Sequence, residues 1–386
     1  MLNFQFKNPT KILFGKGQLS NLAQLIPAAA KVLMIYGGGS IFRNGIYDSV
    51  KNALSGHTVI EFGGITANPE YEVLLKAVDI IKSEKITYLL GVGGGSVIDG
   101  TKFLSIASCY EGTNPWDILS KKLVPERNIP FGTVLTLPGT GSEMNPRAVI
   151  TRSETHEKLS IKDDHLFPVF SILDPSVIRS VPRNQLANGL ADSFMHVLEQ
   201  YLTYPVGALL QDRFAESILQ TIINVAPQIM SDASNYEAAC DFIWSSTLAL
   251  NDLIAQGVPS DWTIHKIGHE LTAIHHIDHA RTLAILAGSY YRYTFEAKKE
   301  KLAQYAASVW HVRQGTIEEM ASEAIEHTVA FFHSLDIQTQ LSMYTSDYQA
   351  TAATIAETFE QRGWTALGER NNITPADVLE IVKQSY

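Results

Sequence analysis

Cysteine is nearly absent from this chain: two in 386 residues, Cys109 and Cys240, neither in a CxxC or Cys/His spacing. That usage excludes a disulfide framework or a thiolate zinc site and leads us to expect reduced thiols in the cytosol. An excess of positive charge is also lacking. Thirty Lys and Arg stand against 40 Asp and Glu, a formal net charge of −10, which argues against nucleic acid as the main partner, because phosphate contacts need a basic surface. No apolar run reaches membrane-spanning length. The start, MLNFQFKNPTKILFGKGQL, lacks the basic-then-apolar order of a signal peptide. Internal repeats and low-complexity segments are missing as well. A soluble cytoplasmic protein with no membrane partner is the expectation. What the chain does have is apolar substance, 45% hydrophobic against 18% charged residues, enough for a large core and about two domains.

The first half alternates between two kinds of pattern. KVLMIY (31–36), TVIEF, ITYLLGV, PFGTVLTLP (130–138) and VFSILDP (169–175) are short apolar runs that read as buried strands. Between them GIYDSVKNAL, PEYEVLLKAVDIIKSEK and SVIDGTKFLSIASCY carry helical spacing. This order predicts a doubly wound, mainly parallel α/β sheet of the dinucleotide-binding kind. Near Val181 the character changes. VPRNQLANGLADSFMHVLEQYL is long and helical with Pro182 at its start, and ALLQDRFAESILQTIINVAPQIM, YEAACDFIWSSTLALNDLIAQ, EKLAQYAASVWHV and IEEMASEAIEHTVAFFHSL follow with helical periodicity. The expectation is an α/β domain over residues 1–182 and an all-α domain over 183–386.

Two glycine clusters end predicted strands: Gly37, Gly38, Gly39 and Ser40 after the first, and GVGGGSVIDG (91–100) after the third. Glycine there lets the backbone approach a phosphate, with exposed N–H groups and a helix N-terminus to hold the anion. Gly94, Gly95 and Ser96 suit a pyrophosphate. Neither cluster is a strict dinucleotide fingerprint, and Thr101 stands where a P-loop needs lysine. Sites that prefer NAD carry an acid after a strand for the ribose 2′-hydroxyl. MIYGGGSIFR has none, and Ser40 and Arg43 would tolerate a 2′-phosphate, which favours NADP over NAD.

HKIGHELTAIHHIDHA (265–280) holds five of the chain's 12 histidines. On one unbroken helix His265 and His279 would lie roughly 21 Å apart at about 1.5 Å per residue, too far for one ion. A break at HHID removes that obstacle. His265 or His269, with His275, His276 or His279, could then converge on a second pair, Asp192 and His196, which share one helix face at i, i+4. One carboxylate with several imidazoles suits Fe(II) or Zn(II) better than calcium or magnesium. Lys266 occupies the place of the glutamate in HExxH, so a protease motif is excluded.

The motifs ILFGKG (12–17), FGGITANP (62–69), GVGGGSVIDGTKF (91–103), TLPGTGSEMN (136–145), LADSFMHVLEQY (190–201) and GVPSDWTIHKIGHELTAIHHIDHARTLAI (257–285) occur in this order along the chain. With them the chain resembles the iron-containing (group III) alcohol dehydrogenases, most closely the NADP-dependent butanol dehydrogenase and broad-specificity aldehyde reductase branch. The resemblance implies a dehydroquinate synthase-like architecture, a homodimer, and Asp192, His196, His265 and His279 as ligands of one Fe2+ or Zn2+. It implies further that His269 lies near nicotinamide and substrate, that Asp99 lies at the nicotinamide end, and that Thr136, Thr140 and Lys158 contact the cofactor. Gly94, Gly95 and Ser96 then form the pyrophosphate loop, and Gly37 to Ser40 the 2′-phosphate loop. His275 and His276 match no role. Gly139 stands where many relatives carry alanine, and Met144 and Pro146 replace commoner small residues.

The chemistry this resemblance implies is hydride transfer between nicotinamide C4 and the carbonyl of a small aldehyde, or a primary alcohol in reverse, with the ion as Lewis acid. Metal and cofactor are expected on opposite sides of a cleft between the domains. The alternatives are a glycerol dehydrogenase or dehydroquinate synthase relative, a metal-dependent hydrolase, and a nucleotide-binding protein without enzymatic activity. A hydrolase would not need two phosphate-type glycine clusters.

Overall fold

Strands flanked by helices on both sides must be apolar on both faces, and KVLMIY is. Val32 and Met34 enter one core with Leu90, Val92, Val134 and Ile172, while Leu33 and Ile35 enter another with Leu89 and Phe131. The computed structural model describes residues 1–155 and 157–386. Its strands are β1 (Lys11–Phe14), β2 (Lys31–Tyr36), β3 (Thr58–Phe62), β4 (Tyr88–Gly94), β5 (Phe131–Leu137), β6 (Arg147–Arg152), β7 (Glu157–Lys162) and β8 (Phe170–Leu173). Six of them form one parallel sheet in the order β1-β8-β5-β4-β2-β3.

Helices α1 (Leu22–Leu25), α2 (Ser40–Arg43), α3 (Ile46–Ala53), α4 (Tyr71–Ser83), α5 (Gly95–Ala107) and α6 (Asp117–Ser120) alternate with these strands. Leu22, Ile46 and Val50 cover one face of the sheet, and Leu74, Ala77, Val78, Phe103 and Leu104 the other. The chain runs from β2 outward to β3, then returns to place β4 on the opposite side of β2. The topological switch point therefore lies between β2 and β4, where ligands of such sheets bind outside the strand C-termini. Both glycine clusters follow these two strands. Strands β6 and β7 form a separate antiparallel hairpin that pattern reading did not foresee.

The second half is helical: α7 (Arg183–Tyr201), α8 (Leu209–Ser231), α9 (Tyr236–Ala249), α10 (Thr263–His275), α11 (His279–Tyr293), α12 (Phe295–Val309), α13 (Ile317–Ser334), α14 (Thr351–Gln361) and α15 (Pro375–Lys383). Helix α9 stops seven residues short of the helical pattern expected to Gln256. Asp252 takes a left-handed backbone (φ 70°), and Asn251 accepts the Leu253 N–H, a local turn that competes with the helix. By contacts the chain divides into two units: Lys7–Val181 with Ala233–Ile243, and Pro182–Asp232 with Trp244–Tyr386 and the first six residues, Met1–Phe6. No helix among the described residues is long and apolar enough to cross a membrane.

Candidate metal centre and nucleotide loops

Three helices of the second unit build the metal centre. Helix α7 carries Asp192 and His196 one turn apart, both buried, with Asp192 Oδ1 3.7 Å from His196 Nε2. Helix α10 carries His265 near its start and ends at His275, because His276 turns into the left-handed region at φ 56°. Helix α11 begins again at His279, so the His-rich run is broken across His276–Asp278. Asn188, one turn before Asp192, donates to the Asp278 carboxylate at 2.8 Å and fixes this break against α7. His279 Nε2 then stands 3.8 Å from Asp192 Oδ1.

One donor atom each from Asp192, His265 and His279 lies within 4.8 Å of the others. The His196 and His265 rings stack at 4.8 Å between centroids, and His265 and His279 meet edge-on at 5.3 Å. Two donors about 2.1 Å from one tetrahedral ion are roughly 3.4 Å apart, close to the separations seen here. One carboxylate oxygen and the imidazole nitrogens therefore fit a divalent transition ion such as Fe2+ or Zn2+. The His269 ring lies tilted beside that of His279, 4.9 Å between centroids, on the rim of the group. His275 accepts or donates at Thr351 Oγ1 over 2.7 Å, and His276 serves the helix end. Trp262, itself left-handed at φ 65°, sets its ring edge-on to His265 at 5.1 Å.

Pattern reading missed Glu199, fully buried on the same face of α7 as Asp192 and His196. Its carboxylate accepts the backbone N–H of Ile264 at 2.8 Å and of His265 at 3.2 Å, and also meets His265 Nδ1. Burial, with Asp261 nearby, pushes the Glu199 carboxyl well above its ordinary value despite those N–H donors and Lys298. Behind it Lys298 sits 3.0 Å from Asp261 and 2.8 Å from Glu369. Burial alone would raise the Asp261 carboxyl, but Lys298 and the hydroxyls of Thr263 and Tyr290 outweigh it and hold it low. The spacing Asp192, His196, Glu199 (i, i+4, i+7) is the sequence signal that could have found the glutamate.

The two glycine loops belong to the first unit. A methyl on Gly93 would come within 2.4 Å of Val97, one on Gly94 within 2.9 Å of Leu137, and one on Gly95 within 2.4 Å of Thr140. Packing alone thus demands glycine there. Gly38 differs: its backbone is not left-handed and nothing lies within 4 Å of an added Cβ, so the fold does not require glycine at that position. Gly39 is left-handed at φ 93°, Gly37 sits against Ile65, and exposed Ser40 opens α2.

Ser96, at the start of α5, accepts the Asn68 N–H at 3.2 Å, and Lys158 on β7 donates to Asn68 Oδ1 at 2.9 Å. Asn68 itself is left-handed at φ 57°. Thr136, next to last in β5, is buried, and Thr140 Oγ1 accepts the Ser142 N–H at 3.3 Å. Gly139 has φ 150°, a backbone that L side chains rarely adopt. Asp99 accepts from Ser142 Oγ at 2.6 Å and from the Val149 N–H at 2.9 Å, so both its oxygens serve the structure. Burial raises its carboxyl against the pull of Lys102, which is itself fully buried and donates to Ser142 Oγ, Asn145 and the Arg147 carbonyl.

A parallel switch-point sheet and a helical carboxylate–imidazole centre define a metal-dependent dinucleotide enzyme fold. The sequence matches iron-containing alcohol dehydrogenase over residues 9–175 and the C-terminal part of the Fe-containing alcohol dehydrogenase family over 186–386. It is 46% identical to the NADPH-dependent aldehyde reductase YqhD of Escherichia coli, covering 100% of this chain and 99% of that one. It is 41% identical to the probable NADH-dependent butanol dehydrogenase 1 of Bacillus subtilis over all of both chains. The crystal structure of YqhD from E. coli K-12 superposes with a TM-score of 0.97 at 44% identity, covering 100% of this chain and 99% of that one. The chain belongs to the iron-containing alcohol dehydrogenase family.

Proposed function

We propose that this protein is a metal-dependent, NADP(H)-linked aldehyde reductase that acts on small aldehydes and, in reverse, on primary alcohols. The convergence of Asp192, His265 and His279 carries this reading, in a chain similar to one protein named an aldehyde reductase and another named a butanol dehydrogenase. When bound, the ion supplies a Lewis acid for the carbonyl oxygen and the nicotinamide supplies hydride. The chain's residues do the rest. Asp192, His196, His265 and His279 would hold the ion, and His269 would relay a proton from solvent to the product oxygen, regaining at one ring nitrogen what it gives at the other. Gly94, Gly95 and Ser96 hold the pyrophosphate at the start of α5. Thr136, Thr140 and Lys158 contact the cofactor, and Asp99 keeps its loop in place through Ser142 and Val149. Residues 1–182 thus serve the nucleotide, and 183–386 the metal and substrate.

The acid-free loop Gly37–Ser40, with Arg43 one turn on, supports NADP(H) over NAD(H). Similar proteins carry both names, NADPH-dependent in one case and NADH-dependent in the other. Comparable catalytic efficiency with NADH would overturn the choice. The decisive measurement is loss of NADPH absorbance with butanal, with and without a chelator. We expect oxidation that chelation abolishes and added Fe2+ or Zn2+ restores, and Asp192→Ala to lose metal and activity together. Full turnover after chelation would sink the reading. We also propose a homodimer: Met1, Leu2, Phe4 and Phe6 stay about half exposed at the start of the chain, apolar area suited to a second copy. Light scattering of the purified chain tests it. A cytoplasmic location, where reduced nicotinamide is supplied, is proposed with it, and cell fractionation is its test.

A further inference from the structure

We propose that Glu199 is a positioning residue of the metal centre: its one carboxylate caps helix α10 from α7 and holds His265 in the tautomer that turns Nε2 toward the ion. The proposal rests on the metal reading above. Helix α10 has no cap of its own, since Trp262 at the N-cap position is left-handed and makes no side-chain hydrogen bond. The first-turn amides of a helix need acceptors. Glu199 Oε1 takes the Ile264 N–H and Oε2 the His265 N–H. The same Oε2 meets His265 Nδ1; an ionised carboxylate there accepts Nδ1–H, which puts the ring's lone pair on Nε2.

The connection is braced from the other side. The Asp261 N–H donates to the Glu199 backbone carbonyl at 2.9 Å, and Asp261 Oδ1 accepts the Thr263 N–H at 3.2 Å. The residues before and after Trp262 are therefore both anchored. Glu199 lies two turns from Asp192 and one from His196 on the same helix. One side chain thus sets the start of α10, and with it His265, against the ligands already fixed on α7. Carboxylates that orient a ligating imidazole typically change metal affinity by about 10- to 100-fold when lost.

A carboxylate accepts at both oxygens, whereas an amide accepts at one and donates at the other. In Glu199→Gln either the Ile264 amide loses its acceptor or an NH2 faces His265 Nδ1–H. The ring relieves the second clash by moving its proton to Nε2, which occupies the lone pair an ion needs.

The test uses the full chain, stripped of metal and titrated with Zn2+ against a chelator of known affinity. We expect E199Q to bind Zn2+ about 10- to 100-fold more weakly than wild type, with the far-UV circular dichroism of the two metal-free proteins unchanged. Equal affinities would overturn the proposal alone. A wild-type chain that takes up no divalent ion would overturn the metal reading and this proposal with it. A measurement on wild type covers the case of a variant that does not fold. In metal-free protein labelled with 15N-histidine, at a pH where the ring is neutral, His265 is expected to carry its proton on Nδ1. A proton on Nε2 would overturn the assignment.

Discussion

Two glycine triplets look alike in the sequence and differ in what an added methyl group would meet. At Gly95 it would lie 2.4 Å from Thr140 Oγ1 and 2.6 Å from Cγ2, so the threonine would have to move as a whole. Overpacking of that kind costs about 1–3 kcal/mol. Gly95→Ala is therefore expected to lower the unfolding temperature by several degrees, at about 2–4 °C per kcal/mol for a unit of this size. At Gly38 the same methyl meets nothing. Gly38→Ala is expected to unfold like wild type while its KM for NADPH rises several-fold. A Gly38→Ala protein with unchanged KM would remove the loop from the phosphate site. The metal centre was partly legible at this scale. Helical spacing paired Asp192 with His196, and the distance argument required a break before His279, which His276 provides with φ 56°. Glu199 escaped because a buried glutamate reads as an ordinary helix former until its partner on a distant helix is known.

At the scale of elements, strands buried on both faces announced themselves, and so did helices with one apolar face. The β6–β7 hairpin did not. Ala148, Ile150 and Ile161 are buried, yet charged residues at the strand ends mask so short an alternation. A further association between elements could not be read at all: Glu61 on β3 gathers Lys51 and Tyr47 of α3 and Tyr36 at the end of β2, beside the Gly37–Ser40 loop. Burial would raise the Glu61 carboxyl, but Lys51 at 2.8 Å and the Tyr47 hydroxyl outweigh it and hold it below the ordinary 4.5. A carboxyl lower in the folded than in the unfolded chain binds fewer protons there, so its stabilisation is present above about pH 4.5 and fades as pH falls through the folded value. Glu61→Gln should therefore unfold at a lower temperature than wild type at pH 7, with the gap closing toward pH 3. The group is partly exposed, so the gap will be small and will shrink further in high salt. A gap that stays constant from pH 7 to pH 3 would mean that packing, not charge, ties β3 to α3.

For the whole molecule, the division of labour between the units makes a prediction that neither site makes alone. Asp192, His196, His265, His279 and Glu199 all come from the unit containing Pro182–Asp232 and Trp244–Tyr386, and every glycine-loop residue comes from the one containing Lys7–Val181. A ligand that binds only the folded state stabilises what it holds by RT ln(1 + [L]/Kd), about 2.7 kcal/mol at one hundred times Kd. Zn2+ should thus slow hydrogen exchange in α7, in the first turns of α10 and in α11, while NADPH should slow it around residues 37–40, 93–99 and 136–142. Chelated protein should bind NADPH within a few-fold of the metal-loaded affinity, read by nicotinamide fluorescence, although it turns over no aldehyde. Loss of NADPH binding on chelation would show instead that the ion helps to build the nucleotide site, and the assignment of one ligand to each unit would fall.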